Sequence, residues 1–404
     1  MQHDRSVALA FGGLAAMTAA IGISRFVYTP ILPSMIAALG WSKSDAGLVA
    51  SANFLGYFIG ALLAGLPFAV ARPRAWLLTT LAISAVSTAA MAAPSSIAAF
   101  ASLRFVSGVA SAFVIVCAST LVLERLSLSG RGSLSAIHFA GVGFGIMISA
   151  VAVSTMLAWG DGWRDLWIGS GAIALLVTIA ATALVPAAPN AAASPEPTTP
   201  QAGSSGLGMM TVAYGLFGFG YVITTTFLVA IVRQTAEVRV LEPWVWILFG
   251  LAAIPSVTIW AWLGKRIGVM NAFAIACIVE AAGVAASVEW MTITGVVVSA
   301  LLLGGTFMGL TALGLIAARG LSAGNPHRAI GRMTASFAIG QMVGPALAGF
   351  LSERLGDFRV ASLIAAGALV AAAALAVRAS WIAATSVGKR GSVFGSCRHA
   401  TARS

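Results

Sequence analysis

An all-α membrane protein of twelve spanning helices is the fold class this sequence predicts, and three observations predict it. The chain is 59% hydrophobic and only 9% charged, where a soluble domain carries roughly a quarter charged residues. Its mean hydropathy is +0.96. Its apolar residues come in runs of about 20, the length that crosses a bilayer as a helix, separated by short turns rich in Gly, Pro and Ser.

The spans fall near residues 7–36, 45–70, 75–92, 96–123, 133–157, 165–186, 207–231, 243–263, 269–288, 291–316, 333–351 and 359–381. Turns such as Ala93-Pro94-Ser95 and Gly160-Asp161-Gly162 divide them. The first run, Val7 to Met35, is too long for the apolar region of a cleaved signal and reads as the first span. Between spans six and seven runs "VPAAPNAAASPEPTTPQAGSSG", whose Pro, Ala and Ser content reads as a flexible linker. The predicted organisation is a six-helix unit over 1–185, a linker over 186–206, a second six-helix unit over 207–381, and a basic tail over 382–404.

Loop charge sets the orientation. One set of loops holds Arg72, Arg74, Arg125, Lys265, Arg266, Arg319 and Arg328 among others, and the opposite set only Lys43, Arg164, Arg233, Arg239, Arg354 and Arg359. The richer side is read as cytoplasmic. Both termini and the linker then lie inside, in a plasma membrane of bacterial type. Tryptophans sit at the predicted span ends, as an interfacial belt would place them.

The two halves resemble each other weakly at an offset near 195–199. Gly22 and Thr29 fall opposite Gly218 and Thr225, which sets Arg25 opposite Tyr221. Gly145-Ile146 matches Gly344-Pro345, and Arg72 matches Arg266. The common offset argues for duplication into two pseudo-symmetric bundles.

Composition also excludes functions. The net charge of +11 is scattered between apolar runs and forms no patch with aromatics, so nucleic acid is not an expected partner. Cys117, Cys277 and Cys397 lie too far apart for a metal motif or a disulfide framework. No phosphate-binding loop, HExxH or nucleophile motif occurs, so neither an enzyme nor a bound cofactor is expected.

Five stretches carry a resemblance to a known family. They are "GISRFVYTPILP" (Gly22–Pro33), "LRFVSG" (Leu103–Gly108), "HFAGVGFGIMIS" (His138–Ser149), "GLFGFGYVITTTF" (Gly215–Phe227) and "SFAIGQMVGPALAG" (Ser336–Gly349). With them the chain resembles the major facilitator superfamily (MFS) over nearly its full length, and most of all its YbfB/YjiJ-type subfamily. That resemblance implies a secondary transporter with a central cavity between two rocking halves. It implies that the loops bearing Arg72, Arg74, Lys265 and Arg266 act as conformational switches. Here both loops lack the family's usual acidic residue, which puts its charge lock in question. The linker, with no Lys or Arg, also departs from the family's basic linker helix.

The candidate site residues are few. Arg25 lies within the first span, where a charge costs ~2.5–3.5 kcal/mol on insertion scales and so faces the bundle or water. At a constant helical period Thr18, Gly22, Arg25 and Thr29 share one face. Arg25 reads either as an anchor for an anionic substrate or as a cap on carbonyls freed near Pro30 and Pro33. Arg104 in the fourth span reads either as a snorkelling side chain or, by the resemblance, as a proton-coupling or switching residue. Tyr28, Thr29, Asn53, Tyr57, Tyr221, Thr225 and Gln341 are candidate cavity residues. Glu280 and His138 are candidates for proton coupling. The alternatives are an interhelical hydrogen bond for Glu280 and a neutral, interface-facing histidine for His138.

No carboxylate lies deep in the first half beside these arginines. That favours a small organic anion as substrate, moved by proton coupling or exchange through a monomer. Proton-driven efflux of drugs or amphipathic compounds is the alternative. A non-transporting receptor or scaffold is the rival class, and no sizeable soluble module marks one.

Overall fold

The computed structural model describes residues 2–185, 205–322 and 326–400, and every regular element among them is helical. In order they are α1 (Gln2–Met17), α2 (Tyr28–Leu39), α3 (Lys43–Ala64), α4 (Pro67–Val70), α5 (Pro73–Ala90), α6 (Ile97–Ala118), α7 (Glu124–Leu128), α8 (Ser135–Ala158) and α9 (Trp163–Leu184). Then come α10 (Ser205–Gln234), α11 (Glu242–Ile267), α12 (Val269–Glu289), α13 (Ile293–Leu321), α14 (Pro326–Leu355) and α15 (Arg359–Ala400). The expected linker falls almost wholly outside the described residues; Ser205 and Gly206 already belong to α10. The backbone of the expected tail continues α15 as far as Ala400.

Eleven helices among the described residues are long and apolar enough to cross a membrane. The expected third span forms as α5, but Arg74, Thr79, Thr80, Ser84, Ser87 and Thr88 dilute its apolar content and leave it out of that set. It packs against α6 and α9.

Helix starts follow local chemistry. Ser42 accepts from the Asp45 amide at 3.0 Å and Asp45 answers the Ser42 amide at 3.1 Å, a reciprocal cap for α3. Ser96 and Thr292 cap α6 and α13 in the simpler one-bond form. Close packing uses small residues, because apolar burial gives helices little reason to associate within lipid. At Gly108 of α6 a methyl group would strike the Asn53 carbonyl oxygen of α3, so only glycine lets these helices approach so closely.

The tryptophan belt is only half right. Trp159, Trp244, Trp262, Trp290 and Trp381 are exposed, as interfacial anchors are. Trp163, Trp167, Trp246 and Trp260 turn inward and are buried, because a position near a helix end does not decide which face a ring points from.

The halves before and after the linker meet along α3 with α14, α8 with α11, and α2 with α10. At the Trp41 end they are latched. Lys43 Nζ donates to the carbonyls of Gly356 at 2.6 Å and Ser352 at 3.3 Å, and the Ser44 amide donates to Glu353 at 3.2 Å.

Candidate functional site

The first span is not one continuous helix. Thr18–Ile23 is a π-helical segment, Ser24–Val27 is a turn, and α2 starts at Tyr28. The amide bonds record the slip: Ser24 and Phe26 reach back five residues, to Ala19 and Ile21, while Thr29 reaches back only three, to Phe26. Proline causes part of it. Pro30 has no N–H to give, and its ring disfavours a regular helix just upstream. The shared face expected for Thr18, Gly22, Arg25 and Thr29 is therefore split. Thr18 donates to the Gly141 carbonyl and Gly22 abuts Gly145, both on α8, whereas Arg25 and Thr29 reach the second half.

A break buried among helices leaves carbonyls that need donors. Arg104 supplies them. Its two terminal nitrogens donate to the carbonyls of Ser24 at 3.2 Å and Arg25 at 3.0 Å. Its guanidinium lies 4.9 Å from the Tyr28 ring centroid. Asn53 donates to the Arg104 carbonyl at 2.9 Å. Arg104 is only 2% exposed, so it does not snorkel. The carbonyl-capping role offered as one reading of Arg25 belongs to Arg104 instead.

Arg25 is thereby left to point elsewhere. It is 5% exposed, and its Nη2 donates to Gln341 Oε1 at 3.2 Å. Gln341 in turn donates to the Tyr221 hydroxyl. The guanidinium carbon lies 4.2 Å from the Tyr57 ring centroid and 4.9 Å from that of Phe54. Such contacts help hold a desolvated cation. They do not neutralise it. The ion pairs Arg233–Glu242 and Arg359–Glu289 lie elsewhere, and among the described residues neither Arg25 nor Arg104 has a carboxylate partner. Arg25 Nε has no hydrogen-bond partner either.

The second half gathers aromatic rings around Tyr221, at the far end of this polar chain. Tyr221 lies nearly parallel to Phe337, at 8° and 5.8 Å, and to Phe307, at 20° and 5.9 Å. Phe26, next to Arg25, meets Phe307 edge-on at 5.9 Å. The arrangement joins a fixed positive charge from one half to a polar pair and stacked rings from the other.

The model of the family described as "Uncharacterised MFS-type transporter YbfB" matches residues 17–377. The chain belongs to this MFS transporter family. Solved structures agree on the fold. The nucleoside transporter NupG, as a D323A mutant, superposes with a TM-score of 0.70 at 15% identity, covering 92% of this chain and 99% of that one. A bacterial homologue of the human lysosomal transporter Spinster, in an inward-facing and occupied conformation, gives 0.69 at 13% identity, covering 94% and 97%. No curated protein sequence matches the chain.

Other singled-out residues of this MFS-type transporter separate into two groups. Tyr28 donates to the Ala46 carbonyl at 2.8 Å, and Thr29 donates to the Thr225 carbonyl at 2.9 Å across the halves. Thr225 bonds back to Tyr221 of its own helix. All three are buried near the break. His138 lies apart. It is fully buried against Gly13 of α1, not at an interface, because Gly13 leaves room for a ring. Arg72, Lys265 and Arg266 are exposed; Arg266 stacks over Trp262 at 4.2 Å and Arg74 donates to the Val185 carbonyl at 3.0 Å.

Glu280 is fully buried on α12. The expected interhelical hydrogen bond is not formed: neither carboxyl oxygen has a partner. Phe273, two turns earlier on α12, touches the rings of Tyr214 and Phe217 on α10 at 6.3 and 6.1 Å. Two turns, about 10.5 Å along the helix, bring Glu280 to the depth of Tyr221, behind the site.

Sequence reasoning passed over Phe54, Phe307 and Phe337. Phe54 and Tyr57 are three apart, and Phe337 and Gln341 four apart, so each pair shares a helix face. That spacing was the available signal.

Proposed function

We propose that this chain is a secondary transporter that moves a small organic anion by alternating access, with Arg25 as its anchor. The supporting observation is the buried Arg25 cation, which has no carboxylate partner among the described residues and bonds to Gln341 of the opposite half. A carboxylate replacing the Gln341 oxygen satisfies the guanidinium fork with two parallel bonds. We read the fold as twelve spans in two six-helix bundles, 1–185 and 207–381, acting as a monomer in a bacterial-type plasma membrane. The latch at the Trp41 end then closes the outer side. Reporter fusions at Ala202 and Ser404 are both expected to read cytoplasm, and an external signal at either site overturns the orientation.

Proton coupling or exchange drives the cycle in this reading, with Glu280 as the proton carrier. Glu280→Gln is expected to abolish accumulation driven by a pH gradient and to preserve exchange of substrate for substrate. Unchanged pH-driven accumulation returns Glu280 to a structural role.

Efflux of amphipathic compounds is the second reading, favoured by the ring-rich wall around Tyr221. Thermal denaturation of the purified protein with carboxylates, phosphates, nucleosides and lipophilic cations separates the two. Ligand bound to the folded state raises the melting temperature by mass action. Stabilisation by carboxylates supports the anion reading, and stabilisation by lipophilic cations alone supports efflux.

A further inference from the structure

We infer that the anion taken at Arg25 is a planar aromatic carboxylate, its charge on the guanidinium and its ring in the stack around Tyr221. The inference rests on the anion reading above and names the substrate class of that site.

The stack is ordered. Tyr221 of α10 lies nearly parallel to Phe307 of α13 and to Phe337 of α14, at 5.9 and 5.8 Å, and stacks on Phe217 of its own helix at 5.1 Å. Rings that merely fill a core adopt tilted and edge-on arrangements as readily as parallel ones. Here the common orientation lies beside a buried polar chain that joins the halves, Arg25 to Gln341 to Tyr221. Gln341 and Phe337 sit one turn apart on the same helix, so the side chain an incoming carboxylate displaces and the ring its body meets move as one unit.

The chemistry follows from that placement. A carboxylate takes both parallel donors of Arg25, and the hydroxyl of Tyr221 turns from Gln341 to donate to it. A flat ring conjugated with the carboxylate enters between Tyr221 and Phe337 as Phe337 and Gln341, which now pack directly on Tyr221, draw back together. A saturated ring of the same size has no face to stack. A neutral aromatic leaves the arginine without its counter-charge. Because the charge comes from one half and the rings from the other, such a substrate bridges both and draws them together.

Three probes of near-equal size test this by calorimetry on the purified full chain: benzoate, cyclohexanecarboxylate and benzamide. Benzoate is expected to bind tightest, with cyclohexanecarboxylate at least about fivefold weaker, as lost stacking implies. Benzamide is expected to bind at least about tenfold weaker than benzoate, as a lost charge-assisted pair implies. Phe337→Leu is expected to erase the preference for benzoate over cyclohexanecarboxylate. Equal binding of those two probes by the parent protein overturns the aromatic class and leaves the anion reading standing. Equal binding of benzamide and benzoate overturns the anion reading itself. Binding of none of the three overturns the aromatic class, and the anion reading then rests on the wider panel of carboxylates and phosphates. A preference for benzoate that survives Phe337→Leu overturns the stack as its source.

Discussion

Arg25→Gln is expected to lower the affinity for the transported anion at least about 100-fold while the protein still inserts and folds. Two charge-assisted hydrogen bonds are lost, each worth roughly 1.5–3 kcal/mol, and every 1.4 kcal/mol is about tenfold. Folding survives because a glutamine at this position still fills the space beside the Tyr57 and Phe54 rings and no longer buries a charge. Gln341, its hydrogen-bond partner in the other half, keeps Tyr221 as a partner. Arg25→Lys keeps the charge and loses the planar fork, so it is expected to fall between the parent and Arg25→Gln. The measurement is binding and uptake at matched expression. A variant Arg25→Gln that binds and transports like the parent rules out the anion reading and puts efflux in its place.

Arg104→Ala is expected to act on the fold first. It strips the donors from the carbonyls of Ser24 and Arg25. Two hydrogen bonds from a charged group make a loss of roughly 3–6 kcal/mol, large against the 5–15 kcal/mol that holds a typical protein folded. The cavity left by the side chain adds to it. The melting temperature in detergent is expected to fall steeply. Transport is expected to fall with it, because the carbonyl of Arg25 is one of the two that Arg104 holds. Arg104→Lys retains a cation and room for a single bond, so a partial rescue of both readouts is expected. An Arg104→Ala protein with the parent's melting temperature shows that the break needs no clamp.

How much of this was legible beforehand varies by element. The spans were, because length and apolarity are local properties: the runs near 165–186 and 269–288 reappear as Trp163–Leu184 and Val269–Glu289. The family was legible too, since its motifs are contiguous. The pairing of Arg25 with Tyr221 across the repeat was visible as an offset, and the structure joins them through Gln341. The division of labour between the two arginines was not. Both are single cations in apolar runs, and burial, partner and direction are set by helices 79 to 316 residues away in the chain.

By itself, then, the sequence determined that this is a helical membrane protein of the major facilitator type, with a costly cation held in its first span. Apolar run length and charge scarcity suffice for the membrane helices, because lipid admits helices and rejects unpaired charge whatever the tertiary arrangement, and the contiguous motifs carry the family resemblance. Only the tertiary structure decided where the cation points. Pro30 and Pro33 mark a break in the sequence, but the donor that satisfies it comes from α6. Once Arg104 occupies the freed carbonyls, Arg25 is released to face Gln341 and the rings of the other half. That choice depends on which donor reaches the broken ladder first in space, a relation between helices that no local pattern encodes.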